Sequence, residues 1–272
     1  MKSEPIVAVL ASGSGGNCTY VGDGRAGLLV DCGVSTRQIV ARMKQVGLED
    51  APVDGVLITH EHGDHIGAAK VLCDTLSRRQ GRPVPFYMTA GTRGRLRPRT
   101  TPDAAVSIEA GQPFAVRHLS VDPFSIPHDS AAPVAYRIGV DGIWVGVITD
   151  LGEPTPLVTD KLRTLTVALL EFNHDIELLE GGPYPLPLKE RIRSAHGHLS
   201  NDQAAAILDR GLGPSLRHLV LAHLSERNNR PRLALARATE VLAEHRATRA
   251  VQLHVAAQAT PLAPIPVHSR PS

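Results

Sequence analysis

The chain opens with an apolar run, PIVAVLA, interrupted at once by SGSGGN, and two more short apolar segments, NCTYVG and AGLLVD, follow with GDG between them. Short apolar runs bounded by Gly, Ser and Asn read as strands joined by turns. STRQIVARMKQVG then changes period and predicts a helix, with Ser35 as N-cap and Gly47 as its stop. GVLIT reads as a buried strand that runs straight into a dense polar segment. Beyond that segment Ile66, Ala69, Leu72, Cys73 and Leu76 recur at helical spacing. PFYMT, AVSIE, FAVRHLSVDPF, AAPVAYRIGV and GIWVGVIT are strand-like, and VDG at 140–142 predicts a hairpin joining the last two.

The second half alternates. TPLVTDKLR predicts a helix, TLTVALLEF a strand and PLKERIRSA a helix; SNDQAAAILDRG predicts another helix, from N-cap Ser200 to a stop at Gly211. RHLVLAHL, RPRLALARATEVLAEH and AVQLHVAAQ follow as strand, helix and strand. Two strand-rich stretches, each followed by helices, predict an α/β fold with two sheets packed together and helices outside. No internal repeat or composition break marks a linker, so one domain is expected over residues 1–259. The Pro-rich end, TPLAPIPVHSRPS (260–272), is expected to be disordered.

Composition narrows the classes. With 272 residues and 42% apolar content the chain can bury a full core, and a net charge of +2 gives no global polycation argument. Three cysteines with no C-x-x-C imply no disulfide framework, which fits a reducing compartment. No apolar run approaches the roughly 18 residues of a membrane span, and the N-terminus lacks the flanks of a signal peptide. A soluble, cytoplasmic protein with no membrane partner is expected.

Thirteen histidines are the feature of the composition that carries chemistry, and four metal-binding side chains crowd into LITHEHGDHIGA as H-x-H-x-D-H. His60 and His62 lie two apart at a strand end and point the same way in extended backbone. Asp64 and His65 are adjacent at a helix start and diverge from that pair, so each pair suits a different ion. Four ligands do not complete two sites. Three later apolar strands end in candidate ligands: His128 in FSIPHDS, Asp150 in VGVITDLG and His223 in LVLAHLS. Each is also an ordinary strand-end polar residue when read alone. Asp150, a carboxylate, is suited to bridging two ions. Asp31, in LLVDCG, is placed to orient a ligand histidine from behind, and Cys32 beside it reads as a small buried residue.

The order H-x-H-x-D-H, a lone His, an Asp and a last His resembles the metallo-β-lactamase superfamily. SGSGGN, DCG, THEHGDHIGA, PFSIPHD, DLGEPT, LEFNHD, YPLPLKERI, GHLSN and LAHLSERNN resemble, in order, its nuclease-like YycJ/WalJ-type branch, related to ribonuclease Z and the β-CASP nucleases. The resemblance spans nearly the whole chain and stops at the tail. It implies a four-layer αβ/βα sandwich of two mixed β-sheets flanked by helices, with a binuclear site at the sheet edges. By that resemblance His60, His62 and His128 would hold one divalent ion, Asp64, His65 and His223 the other, and Asp150 would bridge. Zinc, manganese and iron all suit such His and Asp ligands.

The implied reaction is phosphodiester hydrolysis in nucleic acid, with DNA favoured over RNA and exonuclease action expected. GHLSN stands where ribonuclease Z has a Gly-His-Ser/Thr motif, which makes His198 the candidate to contact the phosphate and protonate the leaving oxygen. His198 also reads as a helix-entry residue beside Ser200. Asp64, as a metal-bound carboxylate, is placed to steer the nucleophile. In LEFNHD, Glu171, Asn173, His174 and Asp175 follow a strand end; they either line the site, or His174 and Asp175 simply cap the following helix. Arg93, Arg95, Arg97 and Arg99 form one basic cluster, and Arg227, Arg230 and Arg232 another just after His223, with Arg227 the better placed to meet substrate. Aromatic content of 3% argues against extensive base stacking. The 128–150 interval is too short for the tRNA-clasping arm of ribonuclease Z, and the 150–198 interval too short for a β-CASP domain. Two rivals remain: a thioester or lactone hydrolase, and a metal-bearing binding protein without turnover. Protein partners are not legible.

Overall fold

Runs such as IVAVLA and VALLE carry aliphatic residues at consecutive positions rather than alternate ones, the pattern of strands covered on both faces. They form such strands here. The computed structural model describes residues 4–245 and 251–267, whose strands lie in two mixed seven-stranded sheets with helices beside them. The described residues divide into two units. One holds those up to Ser125, Ser130–Ile143 and those from Gln258 on; the other holds Ile126–Asp129 and Trp144–Ala257.

The first unit contains β1 (Ile6–Ala11), β2 (Cys18–Gly22), β3 (Gly27–Val30), α1 (Thr36–Gln45), β4 (Gly55–Leu57), α2 (Gly63–Ile66), α3 (Ala69–Gln80), β5 (Phe86–Thr89), α4 (Ala90–Arg95), β6 (Ala105–Ile108), β7 (Phe114–Val116), β8 (Leu119–Ser125) and β9 (Val134–Val140). From β1 to β3 the ladder is antiparallel; from β3 to β6 it is parallel. Its core runs from Ala8 and Leu10 through Leu29, Ile39 and Val56 to Leu72, Phe86 and Met88. Burying one such Leu or Phe contributes about 1.5–3 kcal/mol. Ser35 caps α1 as expected, with Gln38 reaching back to close a capping box, and Gly47 follows at φ 73°.

The second unit holds β10 (Ile143–Ile148, from Trp144), α5 (Pro156–Leu162), β11 (Val167–Glu171), α6 (Ile176–Gly181), α7 (Leu186–Arg193), α8 (Asn201–Gly211), β12 (His218–Ala222), α9 (Pro231–Glu244) and β13 (Gln252–Val255). Its four strands are parallel and in register, Ile148 beside Leu170 and Glu171 beside Ala222. α8 packs against α5 and α9. Ser200 caps α8 through a second capping box with Gln203. Gly211 closes α8 for a packing reason: a Cβ there would stand 2.8 Å from Leu162 Cδ2.

Two expectations are corrected, for FAVRHLSVDPF and for the tail. FAVRHLSVDPF is two strands, because Arg117 turns the chain at φ 55° between β7 and β8. The arginine-rich TRGRLRPRT begins inside α4, capped by the Thr89 hydroxyl, and its four arginines are exposed. The tail is not wholly free of structure: Ile265–Pro266, the strand β14, pairs antiparallel with Val7 and Ile6 of β1. Pro266 sits on an edge strand, where a missing N–H is tolerated. Residues 268–272, the end of that tail, lie outside the described residues. The VDG hairpin holds, with positive φ at both Asp141 and Gly142, as a type I′ turn requires. No described helix is long and apolar enough to cross a membrane.

Candidate metal centre

Parallel strands in register bring their carboxyl ends to one edge, where the following loops converge. In the first unit β3 and β4 end side by side, Val30 beside Leu57, and the chain leaves them as Asp31 and as Thr59–His60. Asp31 has φ 62°, a left-handed conformation uncommon for a residue with a Cβ. That turn aims its carboxylate back at the next loop. Oδ1 accepts the Thr59 N–H at 2.9 Å, and Oδ2 lies 2.8 Å from His65 Nδ1. The Thr59 hydroxyl reaches Asp31 Oδ2 at 3.0 Å and His60 Nδ1 at 3.0 Å. Burial raises the Asp31 carboxyl above its ordinary value while His65 pulls it back down. The rings of His62 and His65 flank that of His60, with centroids 4.6 and 4.2 Å away. Asp64 Oδ2 is 3.7 Å from His65 Nε2.

The glycine-rich motifs explain why α2 holds its place. Asn17 N–H donates to Asp64 O and Cys32 N–H to His65 O, both at 2.7 Å. Gly33 lies so close beneath that a Cβ would stand 1.6 Å from Asp64 O. SGSGGN and DCG thus form a clamp under the helix that carries Asp64 and His65. Asn17 also brings Nδ2 to 3.0 Å from His65 Nε2.

In the second unit β10, β11 and β12 end at the same edge and deliver Asp150, Glu171 and His223. Asp150 and His223 have φ 58° and 53°. With Asp31, they make three of the five non-glycine positive-φ residues among those described. Such strain persists only where surrounding bonds fix it, and here they do: Asn173 Nδ2 donates to His223 O at 2.9 Å. Asn229 in turn donates to the carbonyls of Phe172 and Asn173, and pairs with Asn201. ERNN therefore includes a buried amide cluster that fixes the loops after β11 and β12.

Glu171 organises this half. Oε1 takes His198 Nδ1 at 2.8 Å and His223 Nδ1 at 2.9 Å, while Oε2 accepts the N–H groups of Leu151 and Leu199. Burial opposes its ionisation, but the two histidines and these bonds prevail and hold it down to about 2. Burial likewise works against the His198 cation, and Glu171 overcomes it, lifting His198 to about 9. Asp150, Glu171, His198 and His223 each offer a ligand atom within 4.8 Å of the others. His128 lies beside this group, with Nδ1 on Gly197 O at 3.1 Å and Nε2 3.9 Å from Asp150 Oδ1.

The donor set fits divalent cations. His60, His65, His128 and His223 each engage Nδ1 with a hydroxyl, a carboxylate or a carbonyl. Metal-binding histidines hold their other ring nitrogen in this manner, which turns Nε2 of His60, His128 and His223 away from these partners, while His65 Nε2 meets Asn17 Nδ2. Asp31 stands behind His65 where the sequence placed it. Thr59 and Glu171 were missed in those supporting roles, because a strand-end Thr or Glu has no distinctive spacing. His174 is buried; burial, against the pull of Glu171, pushes it down to about 4. The helix-capping alternative holds for Asp175, whose carboxylate accepts the Leu178 N–H. Arg227 is exposed, with its guanidinium carbon 5.9 Å from the centroid of the Tyr184 ring.

A family model described as "Beta-lactamase superfamily domain" matches residues 27–224. Exodeoxyribonuclease YycJ of Bacillus anthracis is 34% identical over 238 residues, 87% of this chain and 89% of that protein. Exodeoxyribonuclease WalJ of Streptococcus pneumoniae is 32% identical over 232 residues, 84% of each. Among solved structures, the metallo-β-lactamase fold protein YhfI of Bacillus subtilis superposes with a TM-score of 0.71 at 17% identity, covering 95% of this chain and 99% of that one. The short form of human tRNase Z gives 0.64 at 16%, covering 94% and 98%.

Proposed function

The chain belongs to the metallo-β-lactamase superfamily of metal-dependent hydrolases, and from that premise we propose that it hydrolyses phosphodiester bonds in nucleic acid, at the ends of DNA strands, using two divalent ions. His60, His62 and His128 would hold one ion, Asp64, His65 and His223 the other, and Asp150 would bridge; zinc and manganese suit the donors. When bound, such ions supply Lewis acidity and an acidified water.

The observation that carries the reading is the Glu171–His198 pair. Glu171 Oε1 takes His198 Nδ1 at 2.8 Å and favours the imidazolium, whose second proton, on Nε2, is on the opposite edge of the ring from the carboxylate. An imidazole held this way stabilises charge on a phosphoryl oxygen and delivers a proton to the departing sugar oxygen. A thioester, whose thiolate leaves readily, places less demand on such a donor at the leaving group. The relatives named exodeoxyribonucleases support DNA as the substrate.

The test is cleavage of end-labelled single- and double-stranded DNA and RNA, with and without a 5′-phosphate, in added Mn²⁺ or Zn²⁺. Asp64→Ala should abolish cleavage, and His198→Ala should lower kcat by roughly 10²–10⁴-fold while metal content is retained. Failure to cleave any strand in any metal sinks the reading. Full activity in His198→Ala removes only its role as acid.

A further inference from the structure

Tyr184 and Arg227 take no part in holding the imidazoles, yet they occupy the two loops that carry the Glu171–His198 pair and His223. Tyr184 lies between α6 and α7, in the segment that leaves Asn173 and His174 and returns at Gly197 and His198. Arg227 follows His223 by four residues. The two loops are bonded together: Asp175 N–H donates to Asn228 O at 2.8 Å, and a Cβ on Gly182 would stand 3.1 Å from Asn228 Oδ1. The Arg227 guanidinium lies 5.9 Å from the centroid of the Tyr184 ring.

Position sets this ring apart. Among the described Phe, Tyr and Trp residues of the second unit, Phe172 is fully buried. Trp144 sits at the opposite, amino end of the parallel strands, where its carbonyl takes the Thr166 N–H. Tyr184 is the one such ring that reaches solvent at the end carrying Asp150, Glu171 and His223. Leu186, 61% exposed, lies two residues on and adds an apolar rim.

We propose that Tyr184 and Arg227 form a slot for one nucleobase of the substrate strand beside the scissile phosphodiester. A base held between two planar groups needs two stacking steps of about 3.4 Å each, or about 7 Å in all. The guanidinium carbon, 5.9 Å from the ring centroid, is within about 1 Å of that spacing, and an exposed arginine has room to swing outward by as much. Ring and guanidinium then each meet one face of the base, and every base has such faces, so the slot accepts any sequence. A single stacking slot is also compatible with so aromatic-poor a chain. The inference rests on the nucleic-acid reading above and names the part of the strand, other than the phosphate, that the protein grips.

The test uses an end-labelled oligodeoxynucleotide in which one abasic residue is moved a nucleotide at a time from the cleaved end. At one position the abasic residue should raise the wild-type KM by roughly 5- to 150-fold, the equivalent of one lost base stack. Tyr184→Ala should raise KM on the intact strand by a similar factor and lose its response to that abasic residue; Tyr184→Phe should keep both wild-type values. 2-Aminopurine at the same position should be quenched on binding to wild type, a readout that needs no variant. A wild-type KM indifferent to every abasic position, a Tyr184→Ala variant that still responds to the abasic residue, or unquenched 2-aminopurine overturns the slot. Wild type that cleaves no strand overturns the nuclease reading and the slot together. Wild type that cleaves while Tyr184→Ala keeps its KM overturns the slot alone.

Discussion

Asp31 Oδ2 lies 2.8 Å from His65 Nδ1, and both side chains are buried. The carboxylate fixes the ring's tautomer and raises the basicity of Nε2. Asp31→Asn keeps the shape but removes the charge, so zinc affinity should fall about 10–100-fold, with circular dichroism unchanged. Competition against a chromophoric chelator measures the affinity. A variant that binds zinc as tightly as wild type would show that the carboxylate does not tune the ligand.

Asn173 has the same relation to His223 through the backbone. Its Nδ2 satisfies His223 O in a turn with φ 53°. Asn173→Ala leaves a buried carbonyl without that donor, at a cost of about 1–3 kcal/mol. The urea midpoint should drop accordingly, and metal stoichiometry should fall below wild type. Unchanged stability would mean that the Asn229 bonds hold the loop by themselves.

Gly33→Ala should be among the most destabilising single changes in the first unit. The new Cβ would meet Asp64 O at 1.6 Å, a backbone atom with no flexible end to move away. Either α2 shifts, displacing Asp64 and His65, or the DCG turn opens. We expect a loss above about 3 kcal/mol, the range of severe core overpacking, with reduced metal binding by the refolded fraction. Gly47→Ala is the comparison: nothing lies within 4 Å there, and only its φ of 73° opposes the change.

Much of this was legible because ligand chemistry and strand ends coincide in the sequence. His60, His62, Asp64, His65, His128, Asp150 and His223 each follow or end an apolar run, and Ser35 and Ser200 announce their helices with Gln three residues later. What stayed hidden was set by tertiary contact. Thr59 and Glu171 gain their roles only when parallel strands end in register. The positive φ of Asp31, Asp150 and His223 leaves only a weak trace in residue type, since Asp and His are enriched in that region yet occur far more often outside it. The break at Arg117 and the pairing of β14 were missed for the same reason: a β-rich run and a Pro-rich tail look alike whether or not a partner strand is waiting.

Asp23 supplies a pH test independent of the metal ligands. Its side chain is buried; Oδ1 accepts the N–H groups of Arg25 and Ala26 at 3.0 Å, and Oδ2 takes His118 Nε2 at 2.9 Å and Arg25 Nε at 2.7 Å. Burial alone would raise its pKa, but these bonds outweigh it and hold the carboxyl at about 2, below an ordinary 3.8. A carboxyl depressed by folding contributes stability that is present above its unfolded value and disappears as pH falls through the folded one. Asp23→Asn should therefore unfold at lower denaturant than wild type at about pH 5, above the unfolded value of the carboxyl. Between pH 3.8 and 2 the gap should close as wild type takes up its proton. Denaturant midpoints at intervals across that window measure it. A gap still full-sized at pH 2 would place the stabilisation in the shape of the turn rather than in the ionised carboxylate.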